Sequence, residues 1–252
     1  MTAATEWVDS VLDDLRRLGG VTAFEHHETI DSTNDRGISL AKEVGTVGTV
    51  IVADAQTSGR GRRGASWHSG AGEGLWMSLI LGEQDVLPQL PLLVGLACAE
   101  GIEALVDAVR VQVKWPNDLW LSGKKVGGVL CEVTDTGVVV GIGINLATAG
   151  RGLPPELSAI ATTLKEESGV LVLRSELAVH ILTRLRALLS TDAPFLAALA
   201  ELGLRDALRG RLVHTEHFGE GRACGIEPSG ALMLERSDGT RVSVISGSVR
   251  LA

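Results

Sequence analysis

Apolar side chains at Val8, Val11, Leu12, Leu15 and Leu18 repeat with a helical period. They predict a helix over residues 5–18, capped by Thr5 and closed by Gly19-Gly20. Residues 21–30 read as extended and lead into Asp31-Ser32-Thr33-Asn34, whose hydroxyls can cap the helix suggested by Ile38, Leu40 and Ala41. Residues 48–53 and 75–81 are strand candidates, and 92–109, after Pro88 and Pro91, is a buried helix rich in alanine and leucine. Residues 111–120 read as a strand broken at Pro116 and resumed. Ser122-Gly123-Lys124-Lys125 then turns the chain into 126–133, and 138–145 follows as an apolar strand carrying two glycines. An irregular loop over 147–157 holds Pro154-Pro155, and two amphipathic helices follow over 175–189 and 194–208. From Gly210 onward the pattern shortens to β segments split by Phe218-Gly219-Glu220-Gly221, Pro228-Ser229-Gly230 and Ser237-Asp238-Gly239. The pattern divides the chain into a main domain, 1–208, and a small β unit, 209–252. So few residues bury little alone, so the second unit should rest on the first.

Composition narrows the class. Hydrophobic residues make up 45% of the 252, with 3% aromatic and no tyrosine, so aliphatic side chains and alanine must fill the core. No uninterrupted apolar run approaches the roughly 18 residues of a membrane helix, and no basic-then-apolar leader opens the chain. These features predict a soluble protein with no membrane partner. The net charge of −8 disfavours a nucleic-acid partner. Cys98, Cys131 and Cys224 are odd in number and widely spaced, which fits a reducing cytoplasm better than a disulfide framework or a zinc site. His214 and His217 should face opposite sides of their strand, and His26 and His27 should lie at the surface.

The chemistry concentrates in Gln56-Thr57-Ser58-Gly59-Arg60-Gly61-Arg62-Arg63-Gly64-Ala65-Ser66-Trp67. Glycine permits positive φ and close approach, and guanidinium groups offer forked donors to carboxylate and phosphate. Gly59, Gly61 and Gly64 satisfy G-x-G-x-x-G, but the residues after Gly64 have loop composition and open no helix, which argues against a dinucleotide fold. A basic loop gripping nucleic acid is the competing reading. Further on stand Lys114-Trp115-Pro116-Asn117-Asp118, Lys125-Val126-Gly127-Gly128 and Gly141-Ile142-Gly143-Ile144-Asn145. Taken singly, Ser32 and Thr33 are explained by capping and Lys125 by a solvated hairpin. Together the motifs supply cationic and amide donors with flexible backbone, an inventory that suits activation of a carboxylate by a nucleotide.

In these five motifs, in their order and spacing, the chain resembles the biotin–protein ligase family. The resemblance is strong over residues 25–146. It implies an α+β fold, a mixed β-sheet flanked by helices of the class II synthetase-like kind, with a small C-terminal SH3-like β-barrel. It implies ATP-dependent formation of biotinyl-5′-AMP, then transfer of biotin to one lysine of a biotin carboxyl carrier domain of an acyl-CoA carboxylase. By the same resemblance Ser32, Thr33, Asn34 and Gln56 contact biotin's ring region, and the backbone at Gly59, Gly61 and the rest of 59–64 closes over its tail as a lid. Arg60 and Arg62 hold carboxylate and phosphate, Lys125 bridges them, and Gly128 lies against biotin. Arg63, Trp67, Lys114, Asn117 and Asn145 attend ATP, with Trp67 stacked on adenine and Lys114 near the phosphates. Mg²⁺ is implied by ATP, its ligands unassigned, with Asp118 the one carboxylate nominated. Trp115 and Trp120 belong to the core, and Ala147 is left outside the site. With one helix and one strand before Asp31, no repressor role is expected, and the protein should be a monomer or homodimer. Lipoate or octanoate ligases share the fold but generally lack the arginine–glycine loop.

Overall fold

A computed structural model of the chain describes residues 6–148 and 152–252. Helix α1 (Asp9–Arg17) is followed by β1 (Ala23–Ile30), α2 (Thr33–Leu40), β2 (Thr49–Gln56), β3 (Gly74–Gly82) and α3 (Leu90–Leu105). Next come β4 (Gln112–Lys114), β5 (Asp118–Leu121), β6 (Lys124–Thr134) and β7 (Gly137–Asn145). Four helices follow, α4 (Pro155–Ser158), α5 (Leu164–Ser168), α6 (Arg174–Leu189) and α7 (Pro194–Arg205). The chain ends in β8 (Leu212–Thr215), β9 (Gly219–Ile226), β10 (Leu232–Glu235), β11 (Arg241–Val244) and β12 (Val249–Leu251).

The first seven strands form one mixed sheet in the order β1-β2-β3-β7-β6-β5-β4, with β1 and β2 parallel and the other neighbours antiparallel. Side chains alternate across it. Val50, Val52, Met77, Leu79, Val138, Val140 and Ile142 enter a large core with α3 and α6. The opposite parity, Ile51, Ile80 and Val139, packs instead under Leu40 and Ala41 at the end of α2. Beyond the small patch that α2 covers, this second face bears the cavity described below. Helix α3 is apolar nearly all round, with eleven buried residues, as a helix enclosed by sheet and helices must be.

The last five strands make an antiparallel sheet in the order β11-β10-β9-β8-β12, the SH3-like unit. Val213, Ala223, Leu232, Leu234, Val244 and Val249 join the main core, which answers how so short a unit is stabilised. Trp115 is buried, and its indole N–H donates to Gly230 O across that boundary at 2.9 Å, yet it also lines the cavity described below. Trp120 is only half-buried, with Lys114 Nζ 5.2 Å from its ring centre, so neither is purely a core residue. No helix among the described residues is long and apolar enough to cross a membrane.

Several expected elements are corrected. Helix α1 starts at Asp9 because Val8 is extended and caps nothing with its side chain, while Trp7 leaves the helical path to pack on Phe24 at 5.1 Å. Thr5 lies outside the described residues. Helix α3 takes Pro91 into its first turn, where a missing N–H costs nothing, and stops at Leu105. Helix α7 ends at Arg205 because Asp206 turns extended and Ala207 N donates to Val113 O. The expected loop after residue 147 contains α4, and α5 follows; each is too short to leave a readable period. His214 is exposed on β8, and His217 sits beyond its end. His26 and His27 are half-buried, held by Asp54 and Glu25. All three cysteines are free, and burial pushes the Cys98 thiol well up and Cys131 to about 12, so both are inert packing.

Candidate active site

The cavity's floor is laid in rows across the sheet. Ser78, Gly141 and Leu130 are paired neighbours, and so are Trp76, Gly143 and Gly128. Three glycines leave the sheet bare enough for other groups to lie flat on it. A Cβ at Gly141 would stand 2.2 Å from Asn34 Oδ1, and one at Gly143 would stand 2.7 Å from the Trp67 indole. So Asn34 rests on the first row and Trp67 on the second.

Ser32 caps α2, its Oγ accepting from Asp35 N at 3.4 Å. Thr33 N and Oγ1 both donate to Gln56 Oε1, at 2.8 and 3.2 Å, and Gln56 Nε2 donates to Ser69 Oγ at 2.8 Å. Asn34 Oδ1 accepts from Ser78 Oγ at 2.6 Å, while Nδ2 donates to Glu132 Oε2 at 2.8 Å. These polar side chains are held in place by one another before any ligand arrives, which is the preorganisation a recognition pocket needs.

The arginine loop folds back over this floor. Gly61 N donates to Ala65 O at 2.7 Å, Trp67 N to Gly59 O at 2.8 Å, and Arg62–Gly64 make one 3-10 turn. The glycine argument needs correcting in detail: Gly61 has φ −112°, whereas the left-handed residues are Arg63 (φ 59°) and Gly64 (φ 77°). Gly59 is required by contact, since a Cβ there would meet Trp67 O at 2.5 Å. The three arginines take separate partners. Arg60 pairs with both oxygens of Glu132, at 2.9 and 2.6 Å, and with Asp35 at 2.7 Å. Arg63 reaches Glu216 of the C-terminal unit at 2.5 Å. Arg62 donates to two neutral acceptors, Asn117 Oδ1 at 3.0 Å and Gly247 O at 3.5 Å, and among the described residues no carboxylate pairs with it. Burial lowers its pKa, with Asp118 opposing, yet a guanidinium stays charged at any ordinary pH.

At the other wall, Asp118 stands between two ammonium groups, 2.6 Å from Lys125 Nζ and 3.6 Å from Lys114 Nζ. Lys125 Nζ also lies 5.0 Å from the centre of the Trp67 ring. Burial lowers the pKa of Lys114, partly countered by Asp118. The backbone of Lys125 is clasped on both sides by the segment after α4: its N–H donates to Ile160 O and its C=O accepts from Thr162 N, each at 2.9 Å.

Of the residues expected in the site, all but two line one cavity of about 250 Å³: Ser32, Thr33, Asn34, Gln56, Arg60, Gly61, Arg62, Arg63, Trp67, Lys114, Asn117, Lys125 and Gly128. Gly59, at the start of the loop, is buried against Trp67 O and Ser69 Oγ instead. Asn145, whose amide donates to Thr162 O, lines a second cavity of about 160 Å³ with Leu153, Leu157 and Ile160. Ser66, Trp67 and Lys125 line both. Gly128 is not bare toward the cavity: the Lys125 stem and Trp67 ring lie 3.3–3.4 Å from where its Cβ would be. Trp67 Nε1 is a buried donor with no partner among the described residues. Sequence reasoning missed Ser78, Glu132 and the Gly247–Val249 edge; the first two are polar positions within otherwise apolar strands.

Among the described residues no cluster of three or more His, Cys, Asp or Glu could hold a metal ion. Asp118, already between two ammonium groups, does not suit a divalent cation either.

Comparison with known proteins agrees with this geometry. Residues 27–148 match the Biotin/lipoate A/B protein ligase family, and residues 211–251 match the Biotin protein ligase C terminal domain. The bifunctional ligase/repressor BirA of Bacillus spizizenii is 36% identical over 241 residues, covering 90% of this chain and 73% of its own. The biotin–[acetyl-CoA-carboxylase] ligase of Paracoccus denitrificans is 34% identical, over 84% of this chain and 94% of its own. The Aquifex aeolicus biotin protein ligase, solved with biotin and ATP, superposes with a TM-score of 0.82 at 32% identity, over 92% of this chain and 100% of that one. With both domains matched and one sheet face furnished by the five motifs, the chain belongs to the biotin protein ligase family.

Proposed function

We propose that the chain joins biotin to ATP as biotinyl-5′-AMP, releasing pyrophosphate, and then transfers the biotinyl group to a lysine of a biotin carboxyl carrier domain, releasing AMP. The observation that carries this reading is the place of Lys125, on the shared border of two cavities. An acid and the nucleotide's phosphates in the larger cavity, with Lys114, and the adenosine in the smaller meet at the Lys125 ammonium group.

In the first step a biotin carboxylate oxygen attacks the α-phosphorus. Two anions must come together, and negative charge builds on phosphorus. Lys125 leaves part of its contact with Asp118 for the incoming oxygens, Arg62 exchanges neutral acceptors for an anion, and Lys114 adds charge from a desolvated position where it counts for more than in water. Trp67, already against Lys125, offers a flat face to adenine. Mg²⁺ enters as the counter-ion of the ATP substrate. In the second step the carrier lysine's amine attacks the acyl carbon and AMP leaves. The working division is a catalytic domain at 1–208 and an SH3-like domain at 209–252, the latter lending Gly247, Ser248 and Val249 to the cavity wall.

The test is labelling of a carrier domain with biotin and MgATP. One lysine should gain a single biotinyl group, and its replacement by arginine should abolish labelling. Label spread over many carrier lysines, or none at all, contradicts the assignment.

A further inference from the structure

Resting on that reading, we infer that Glu132 is a positioning residue that fixes the biotin pocket and the arginine loop to one another, and that Arg60 serves this clasp rather than holding the substrate's anionic groups. Glu132 lies on β6 on the same face as the cavity, in the row next to Ser78, Gly141 and Leu130. Its two oxygens carry residues distant in sequence. Oε1 and Oε2 take the forked donors of Arg60 at 2.9 and 2.6 Å, and Oε2 also takes Asn34 Nδ2 at 2.8 Å.

The Asn34 amide has its direction set mainly by this carboxylate. Ser78, fully buried, can donate to Oδ1 or accept from an amide nitrogen, so it tolerates either orientation. Glu132 tolerates one, because a flipped amide would set Oδ1 against a carboxylate. Gly141 beneath leaves the floor bare, which lets Asn34 lie close enough to reach Glu132; a Cβ there would stand 2.2 Å from Asn34 Oδ1. Leu130 O, 3.4 Å from Nδ2, favours the same orientation at longer range, so Glu132 at 2.8 Å is the stronger of the two acceptors that decide which edge of the amide the pocket floor shows.

The Arg60 guanidinium is committed in the same way. A bidentate pair with Glu132 and a third contact with Asp35 are charge-assisted, and a carboxylate or phosphate would have to replace contacts of equal kind. Arg62 has no such prior commitment. The two arginines thus divide the work: Arg60 ties the base of the loop to the floor on which biotin rests, and Arg62 meets the anion. The loop then closes in register with the ring pocket.

Steady-state biotin-dependent pyrophosphate exchange of the parent, Glu132→Gln, Arg60→Ala and the double variant tests this. Glu132→Gln keeps the shape, removes the charge and turns a donor toward Asn34 or Arg60. The expected result is a KM for biotin raised about tenfold, the size of one charge-assisted hydrogen bond lost, with the KM for ATP unchanged and kcat within about twofold. The double variant should be less impaired than the product of the two single losses, since both remove the same clasp. An unchanged biotin KM, equal rises in both KM values, or losses that simply multiply would overturn the inference. A Glu132→Gln protein that fails to fold is replaced in the same cycle by Glu132→Asp, which keeps the charge but cannot reach both partners. A parent without biotin-dependent exchange overturns the functional reading itself, whereas an active parent with the outcomes above overturns the clasp alone.

Discussion

Lys124 and Lys125 are adjacent in sequence and differ in surroundings. Lys124 Nζ is exposed and donates to Ser158 O at 3.1 Å, while Lys125 Nζ stands between Asp118 and Trp67 where the two cavities meet. A preorganised donor facing developing charge contributes roughly 10²–10³-fold in rate. Lys125→Ala should lose about that much in adenylation, and Lys124→Ala should be near parental; equal rates for the two variants in pyrophosphate exchange contradict the role given to Lys125. Lys114 supplies a second residue-scale test. Because burial lowers its pKa, its charge is present at neutral pH and is lost as pH rises through a value below the ordinary lysine range. ATP affinity should weaken on that alkaline limb. Lys114→Arg, charged throughout, should hold the affinity to higher pH in calorimetry between about pH 7 and about pH 10. Coincident limbs in the two proteins would remove Lys114 from the nucleotide's surroundings.

Among the elements, the 59–64 loop shows how far local sequence reaches. Its composition announced an anion-handling loop, and the fold puts Arg60, Gly61, Arg62 and Arg63 on the cavity wall. Which arginine faces which partner was not legible, because Glu132 is 72 residues from Arg60 and Glu216 is 153 residues from Arg63. A one-dimensional pattern carries no trace of such pairings. Ser78 was hidden for a related reason: a serine inside an apolar strand acquires meaning only when Asn34 is known to lie over it. The long helices and most of the main sheet, by contrast, follow from 3.6- and two-residue periods that register directly in the sequence. The Arg63–Glu216 pair is exposed, so it adds little to global stability and acts mainly to hold the loop. Glu216→Ala should leave the thermal midpoint nearly unchanged and speed tryptic cleavage at residues 60–63. A cleavage rate equal to the parent's would show that the pair does not restrain the loop.

At the scale of the molecule, one hydrophobic core runs from the mixed sheet into the SH3-like unit, and the active-site wall crosses the same boundary at Gly247–Val249. The sequence indicated that the C-terminal unit must rest on the main domain, since it is too small to stand alone. It did not indicate that the unit would border the site, because Gly247 and Ser248 lie in a short turn with no chemical signature of their own. On the proposed function, this arrangement joins a carboxylic acid, recognised by the polar floor around Thr33, Asn34 and Gln56, to the α-phosphate of ATP at Lys125. The most direct measurement is exchange of labelled pyrophosphate into ATP with biotin, lipoate or octanoate as the only acid present. Biotin should support exchange and the other two should not; exchange driven by lipoate or octanoate, with none from biotin, would contradict the account.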